Sequence, residues 1–260
     1  MKSFFRMSYP YILWIGIFIV APMLMILLYA VTHTTGDSTL AFQFTLDNFG
    51  KFLSDPTFMR VLLTSLRIAL LTTVFCLLIG YPAALFIANL PERKQTLMTL
   101  LLTLPMWINM LLKTYAWRGI LLNFDFASET RVFIGMVYDF LPYMIIQIHS
   151  AISKMDGNLL IAAHDLGANK LKTFLKVTLP LSIPGIISGI TLVFLPAVSS
   201  FVIPKLLGGG DYVLIGNLIE IYFLTAGDWN FGSAISLIMA LIIIASMWAT
   251  KKLDRNGEEE

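Results

Sequence analysis

A chain of 260 residues that is 57% hydrophobic and 13% charged, with a mean hydropathy of +0.80, is too apolar for a water-soluble domain, where about 25% of residues are charged. A membrane helix needs about 20 apolar residues, so this length admits several spans with little structure outside the bilayer. The net charge of +2 favours neither nucleic acid nor an acidic partner, and a single cysteine, Cys76, excludes an intrachain disulfide. These values exclude a soluble enzyme and a secreted scaffold, and they predict an integral membrane protein.

Six apolar stretches are long enough to cross a membrane. Lipid offers the backbone no hydrogen-bond partner, so such stretches are expected to be helical, and the chain is predicted to be an all-α integral membrane protein with six transmembrane helices. The first stretch is too long for the core of a cleaved signal peptide and is interpreted as a retained anchor. The predicted spans are residues 11–31, 66–89, 96–116, 132–152, 182–203 and 229–250.

An even number of spans places both ends of the chain on the same side of the membrane. If that side is the cytoplasm, the inner segments contain most of the 18 lysine and arginine residues, as the positive-inside rule favours. No internal repeat, low-complexity tract or linker divides the sequence. Residues 1–260 are therefore predicted to form a single transmembrane domain with both termini cytoplasmic.

Two outer segments are predicted to contain short elements. Residues 32–59 are polar, include Gly36 and Asp37, and are predicted to form a loop with short helical pieces. Residues 205–228 contain three consecutive glycines, 208–210, followed by an apolar run that is too short to cross the bilayer. This second segment is predicted to be a re-entrant or interfacial helix.

The longest inner loop, residues 154–181, has a helical pattern. Asp156 is predicted to cap a helix, and Gly167 is predicted to end it in the left-handed backbone conformation. Asn169 is predicted to cap a second helix that continues towards Pro180. The first helix has an apolar face, which is suited equally to docking on a partner and to lying on the membrane surface. That face is formed by Leu159, Leu160, Ala162, Ala163 and Leu166.

The same loop carries a known signature. Its Ala162-Ala163 pair, Gly167 and the residues Val-Thr-Leu-Pro at 177–180 match the spacing Glu-Ala-Ala, three residues, Gly, nine residues, Ile-x-Leu-Pro. The loop therefore resembles that of bacterial ABC-importer permeases of the binding-protein-dependent, type I (MetI-like) family. Ile161 stands where that family has Glu, and Asp165, one turn further on, is placed to substitute for it in an ion pair.

Other segments resemble the B-type permease subunits of spermidine/putrescine importers. With the loop they cover most of residues 46–250. They are Pro-Met-Trp-Ile-Asn at 105–109, Lys-Thr-Tyr-Ala-Trp at 113–117, Leu-Pro-Ala at 195–197, Ile-Gly-Asn at 215–217 and Asp-Trp-Asn-Phe-Gly at 228–232. The resemblance implies the type I importer permease fold, a homologous C-type permease partner, two ATPase subunits and an extracytoplasmic polyamine-binding protein.

For the inner loop, the resemblance implies a coupling helix that docks in a groove of the ATPase. Residues 167–173 lack the Gly-x-x-x-x-Gly-Lys-Ser/Thr spacing of a phosphate-binding loop, so ATP and Mg²⁺ are expected on the partner. This chain is expected to bind no cofactor and to catalyse no reaction, and its three scattered histidines predict no metal site. The ATPase-coupling residues implied are Asp156, Leu159, Leu160, Ala162, Ala163, Asp165, Gly167 and Pro180.

A polyamine is a flexible multivalent cation, so its path should offer carboxylates and aromatic rings. Asp139 is an acid within a predicted span, where burial costs roughly 2.5–3.5 kcal/mol and an interior position is favoured. It either lines the path or pairs with Arg131 or Lys113. Glu220 lies on the path or on a solvated face, and Trp107 lines a vestibule or belongs to the interfacial belt. The candidate path residues are Trp107, Tyr138, Asp139, Tyr143, Glu220, Tyr222, Asp228 and Trp229.

Two other classes of membrane protein make different demands on the sequence. A secondary transporter would place acidic or basic groups in several spans and often contains inverted repeats. An intramembrane enzyme would need paired aspartates, a His-Glu-x-x-His helix, or a serine with histidine or lysine inside the spans. The sequence favours the importer permease over both. Within that class, sulfate, molybdate, iron and thiamine are alternative solutes.

Overall fold

The computed structural model describes residues 11–34 and 42–258, and this part of the chain is almost entirely helical. Gly36 and Asp37 of the predicted outer loop lie outside the described residues. The elements, in chain order, are α1 (Tyr11–Ala30), β1 (Thr32–Thr34), β2 (Phe42–Phe44), α2 (Asp47–Ser54), α3 (Pro56–Ala88), α4 (Glu92–Trp107), α5 (Met110–Leu121), α6 (Ser128–Ser153), α7 (Gly157–Asp165), α8 (Lys170–Ser199), α9 (Val202–Leu207), α10 (Ile215–Leu224) and α11 (Trp229–Glu258).

Five helices in the described ranges are long and apolar enough to cross a membrane: α1, α3, α6, α8 and α11. A sixth span results if α4 and α5 are counted as one bent pair. These helices confirm the predicted all-α membrane fold. The two segments predicted to lie outside contain the expected short helices, α2 in residues 32–59 and α10 in residues 205–228. The antiparallel pairing of β1 with β2 in the first segment was not predicted.

The predicted span 96–116 is not one straight helix, because α4 and α5 meet at an angle of 90°. Ile108 and Asn109 leave the helical region, with ψ of 136° and 130°. The side chain of Asn109 accepts a hydrogen bond from the backbone N–H of Leu111 at 2.8 Å. This cap satisfies one of the N–H groups that a new helix leaves without a partner, and so stabilises the break.

The predicted span 182–203 also ends differently, because α8 stops at Ser199 and Ser200 has an extended backbone. At its inner end, α8 begins at Lys170 and contains a π-helical turn over Phe174–Thr178. Pro180 lies two residues after that turn, beyond Leu179. Proline has no N–H to donate to the carbonyl four residues earlier, that of Lys176, so the α-helical hydrogen-bond ladder is interrupted within the turn.

The chain forms two compact units. The first contains Met1–Val61 and Leu218–Ile243, and the second contains Leu62–Asn217 and Ile244–Glu260. A single transmembrane domain therefore stays a prediction from the sequence.

In the first unit, two buried asparagines bind the backbone at the end of α1. The Asn48 amide donates to the carbonyls of Ala30 at 3.3 Å and Thr32 at 3.2 Å. The Asn230 amide donates to the carbonyls of Tyr29 at 3.0 Å and Thr32 at 2.7 Å. A buried carbonyl without a donor is costly, so these amides stabilise the end of the helix where no next turn supplies N–H groups.

In the second unit, α6 and α8 form the most extensive helix pair. Two glycines of α8 allow the close approach. A Cβ at Gly185 would lie 2.9 Å from the carbonyl oxygen of Gln147, and a Cβ at Gly189 would lie 2.5 Å from the sulfur of Met144. Small residues at a helix interface increase van der Waals contact, which is a main source of association between helices in lipid.

Candidate functional site

The inner loop contains the first predicted helix as α7, whereas the second is the beginning of α8, which continues to Ser199. An Asp156 carboxylate oxygen accepts a hydrogen bond from the N–H of Asn158 at 2.9 Å and caps α7. Gly167 has φ of +78°, and a Cβ at this position would meet no atom within 4 Å, so the backbone conformation, and not space, favours glycine here. The Asn169 side chain accepts from the N–H of Lys172 at 2.8 Å and caps α8. All three predicted capping roles are confirmed.

Helix α7 has no buried residue, and several of its apolar side chains are exposed. The exposed fraction is 45% for Leu159, 61% for Ile161 and 89% for the adjoining Leu166. A cluster of exposed apolar side chains indicates contact with a partner or with lipid. Of the predicted coupling residues, Leu160 and Ala163 are half-buried, and the exposed ones are Asp156, Leu159, Ala162, Asp165, Gly167 and Pro180.

A cavity of about 490 Å³ lies in the second unit, where two helix breaks line it. The first break is the bend between α4 and α5, and the second is the gap between α8 and α9. Three of the candidate path residues belong to its wall: Trp107 at the end of α4, and Asp139 and Tyr143 on α6. The structure therefore brings part of the predicted path together.

The two charged residues of the cavity wall, Lys113 on α5 and Asp139 on α6, form an ion pair. The Lys113 Nζ donates to Asp139 Oδ1 at 2.5 Å, and their side chains are 11% and 13% exposed. The other proposed partner, Arg131, instead donates to the backbone carbonyls of Leu207 and Phe126. Asp139 therefore has a cationic partner and also lines the cavity.

The rest of the cavity wall is mostly apolar, with aromatic rings and a few polar groups. The rings of Trp107, Tyr143 and Phe201 contribute to it, together with Ser200. The Ser200 hydroxyl is buried and has no hydrogen-bond partner in the described part of the chain. Tyr138 does not line the cavity, and its ring packs edge-on against Trp117 with centroids 5.0 Å apart.

The other four candidate path residues lie in the first unit, and none of them lines the cavity. They are Glu220, Tyr222, Asp228 and Trp229. Asp228 accepts a hydrogen bond from the N–H of Phe231 at 3.0 Å and caps α11. Tyr222 packs edge-on against the Phe231 ring, with centroids 4.7 Å apart. Trp229 starts α11 and packs on aromatic rings, and Glu220 is half-buried on α10.

Two tyrosines outside the spanning helices have raised pKa values. Burial raises the pKa of Tyr212, and the nearby carboxylate of Glu129 raises it further. Burial also raises the pKa of Tyr222, with smaller contributions from Asp228 and Asp55. Both phenols are therefore neutral at physiological pH. Tyr222 offers a cation an aromatic ring and a hydroxyl, but no negative charge.

Sequence reasoning missed several residues of the cavity wall, among them Asn109, Ser200 and Phe201. An asparagine before an apolar run is a typical helix cap, so Asn109 carried a local signal for the break. Ser200 and Phe201 lie at the end of an apolar stretch that reads as one helix, and no local pattern marks the point where α8 stops.

The sequence matches the family described as "Binding-protein-dependent transport system inner membrane component" over residues 3–256. The chain belongs to this family. It is 38% identical to the spermidine/putrescine transport system permease protein PotB of Escherichia coli, a match that covers 95% of this chain and 98% of that protein. The PotB of Haemophilus influenzae is also 38% identical, with coverage of 95% and 94%. The family resemblance predicted from the inner loop is confirmed, and the chain is a multi-pass inner-membrane component.

Solved structures show the same fold at low sequence identity. A bacterial ABC transporter involved in the import of the acidic polysaccharide alginate has a chain with a TM-score of 0.76 and 15% identity, covering 98% of this chain and 96% of that one. The inward-facing MetNI methionine ABC transporter gives a TM-score of 0.61 at 14% identity, covering 76% of this chain and 95% of that one. The predicted importer permease fold is confirmed.

Proposed function

We propose that this chain is a transmembrane permease subunit of an ATP-driven ABC importer that takes up polyamines such as spermidine and putrescine. The observation that carries the proposal is the 38% identity to PotB over 95% of this chain. The similarity extends over nearly the whole length of both proteins and is not confined to the inner loop.

The energy for transport comes from partner subunits in this proposal. Two ATPase subunits bind ATP and Mg²⁺, a homologous C-type permease completes the membrane part, and an extracytoplasmic protein delivers the polyamine. This chain catalyses no reaction itself, and both of its ends are cytoplasmic. The exposed Leu159 and Ile161 on α7 support a docked partner at this helix, and Asp165 supplies the ion pair for which the family uses a glutamate.

The cavity between the two helix breaks forms part of the polyamine path. Asp139 provides the carboxylate, and the rings of Trp107 and Tyr143 provide faces on which an ammonium group can rest. Helices α4 and α8 end at the cavity and present C-terminal carbonyl groups, while α5 and α9 begin there, so the opposite partial charges of these termini oppose each other. Discontinuous helices with accessible backbone carbonyls are a recurring way to bind cations inside membrane transporters.

The remaining candidate residues contribute from the outer side. Glu220 and Tyr222 on α10 provide a carboxylate and a ring for an arriving cation, together with Asp228 and Trp229 at the start of α11. Because Asp228 also caps α11, its loss would affect the helix as well as the path.

Transport then follows from movement of α7. Closure of the ATPases on ATP pushes this capped helix as a rigid body, and the movement passes through the Gly167 turn into α8. The spans alternate between outward-open and inward-open arrangements around the path, as in other domain-closure mechanisms.

The test is reconstitution of the complete complex in lipid vesicles, with ATP on the side of the ATPases and the binding protein on the other. Radiolabelled spermidine should accumulate against its gradient, and accumulation should require ATP, the binding protein and this chain. Thiamine, iron, sulfate and molybdate are tested in the same vesicles. Accumulation of one of these four and not of polyamine would refute the proposed substrate. Uphill transport by this chain without any ATPase would refute the class.

A further inference from the structure

The cavity wall contains one positively and one negatively charged side chain, which neutralise each other. Lys113 and Asp139 are the two charged residues in its wall, and each is the hydrogen-bond partner of the other. Their opposite charges cancel at a separation of 2.5 Å. A cation that enters this arrangement gains little electrostatic attraction, although the carboxylate alone would attract it strongly in a poorly solvated site.

The group that holds Asp139 is chemically the same as the group it would bind in the substrate. The Lys113 side chain ends in a primary alkylammonium on a flexible four-carbon stem, and a polyamine such as putrescine also carries primary alkylammonium groups on a short carbon chain. Both offer three N–H donors and one positive charge to a carboxylate oxygen. Asp139 is therefore occupied in this structure by an internal equivalent of the substrate's end group.

We infer that Lys113 is an internal competitor for the substrate. Its ammonium neutralises Asp139 while the cavity is empty, and an ammonium group of the substrate takes its place during transport. The inference depends on the proposed polyamine function and adds a residue that controls affinity and cation selectivity. Exchange of one ammonium for another keeps Asp139 paired, which avoids the large cost of an isolated buried carboxylate.

The displaced ammonium needs an acceptor, and the cavity wall contains one. Ser200 lines the same cavity, and its hydroxyl is buried and has no hydrogen-bond partner in the described part of the chain. The C-terminal end of α8 adjoins it, with carbonyl groups that no further helical turn uses. A small hydrated cation cannot reproduce the three-donor geometry of an ammonium, so the exchange favours amines over alkali ions.

An ion pair that only fastens α5 to α6 would behave differently from a competitor. Loss of either partner of a fastening pair would leave an unpaired buried charge, so both losses would weaken folding and binding in the same direction. Loss of the competitor frees Asp139 for the substrate, whereas loss of Asp139 removes the binding group. The two single substitutions then change substrate affinity in opposite directions.

The test measures equilibrium binding of radiolabelled putrescine to the assembled complex in lipid nanodiscs, without binding protein or ATP. Lys113→Gln should bind putrescine about tenfold or more tightly than wild type, and Asp139→Asn should bind it about tenfold or more weakly, because charge-assisted hydrogen bonds are the strong ones. The double variant should bind as weakly as Asp139→Asn. Lys51→Gln, the same change at an exposed lysine outside the cavity, should leave binding unchanged.

Unchanged or weaker binding by Lys113→Gln, in a preparation whose wild-type complex accumulates polyamine, would overturn the inference and leave the proposed function standing. Failure of the wild-type complex to accumulate polyamine would instead refute the proposed function. If Lys113→Gln does not assemble, Lys113→Arg decides the matter. A guanidinium holds a carboxylate by two parallel hydrogen bonds, so this variant should bind putrescine more weakly than wild type, and tighter binding would overturn the inference.

Discussion

Replacing Gly167 with valine tests the turn that joins α7 to the membrane part. An L-residue in the left-handed conformation costs about 1–2 kcal/mol, and glycine avoids this cost at its φ of +78°. A Cβ here would meet no atom within 4 Å, so the substitution adds backbone strain and no steric clash. A penalty of this size changes a conformational equilibrium by a factor of about 5–30, away from the geometry in which α7 is held for docking.

ATP hydrolysis and spermidine uptake measured in the same vesicles give the number of polyamine molecules imported per ATP. For Gly167→Val this ratio should fall by about fivefold or more, while hydrolysis itself continues. Gly167→Asn is the matched control, because asparagine adopts the left-handed conformation more readily, and it should keep most of the coupling. A wild-type ratio for the valine variant would refute the reasoning, and so would equal losses in both variants.

The remaining predictions concern stability, measured by thermal unfolding of the purified protein in detergent. Gly185→Ala should destabilise by about 1–3 kcal/mol, because the new Cβ would clash with the Cβ of Ala151 and lie 2.9 Å from the backbone oxygen of Gln147. A Cβ at Gly189 would lie closer than ordinary contact distance only to the flexible thioether of Met144, so Gly189→Ala should be close to neutral. Asn230→Ala should destabilise by about 1–3 kcal/mol, because the carbonyls at the end of α1 lose a buried donor, and the same change at the exposed Asn123 should cost about 0.5 kcal/mol or less.

Equal unfolding temperatures for the two glycine variants would contradict the assignment of the closest helix contact to Gly185. An Asn230→Ala variant with the same unfolding temperature as the wild type would mean that the carbonyls at the end of α1 do not depend on this amide.

Features set by a few neighbouring residues could be predicted from the sequence. Asp156, Gly167 and Asn169 act on backbone groups within three residues or through their own φ, so local chemistry determines them. The membrane helices could also be predicted, because an uncharged stretch of sufficient length has no stable alternative to a helix in lipid.

The two helix breaks at the cavity differ in how far the sequence marks them. Asn109 is a typical helix cap and gives a local signal for the first break, although hydropathy continues across it. The second break, at Ser200, has apolar residues on both sides and no local signal. Its position could therefore not be predicted from the sequence.

The partner of Asp139 was a choice between two cations. Lys113 precedes it by 26 residues, and Arg131 is nearer in the sequence, but charge does not distinguish them. The structure decides in favour of Lys113 because the Arg131 guanidinium is used by the carbonyls of Leu207 and Phe126. Which backbone groups need such a donor depends on how α9 packs against α5 and α6. That packing could not be predicted from the sequence.

The π-helical turn at Phe174–Thr178 has a geometric consequence for α8. Such a turn takes up one residue more than an α-helical turn, and one residue corresponds to about 100° of rotation about the helix axis. Side chains before and after it are therefore out of phase, and a surface stripe drawn along the lipid-facing part cannot be extended to Lys170 by counting residues. Conversion of this one turn to α-helix would rotate the inner loop by about 90° around the axis of α8, while adding little to the distance between the loop and the bilayer.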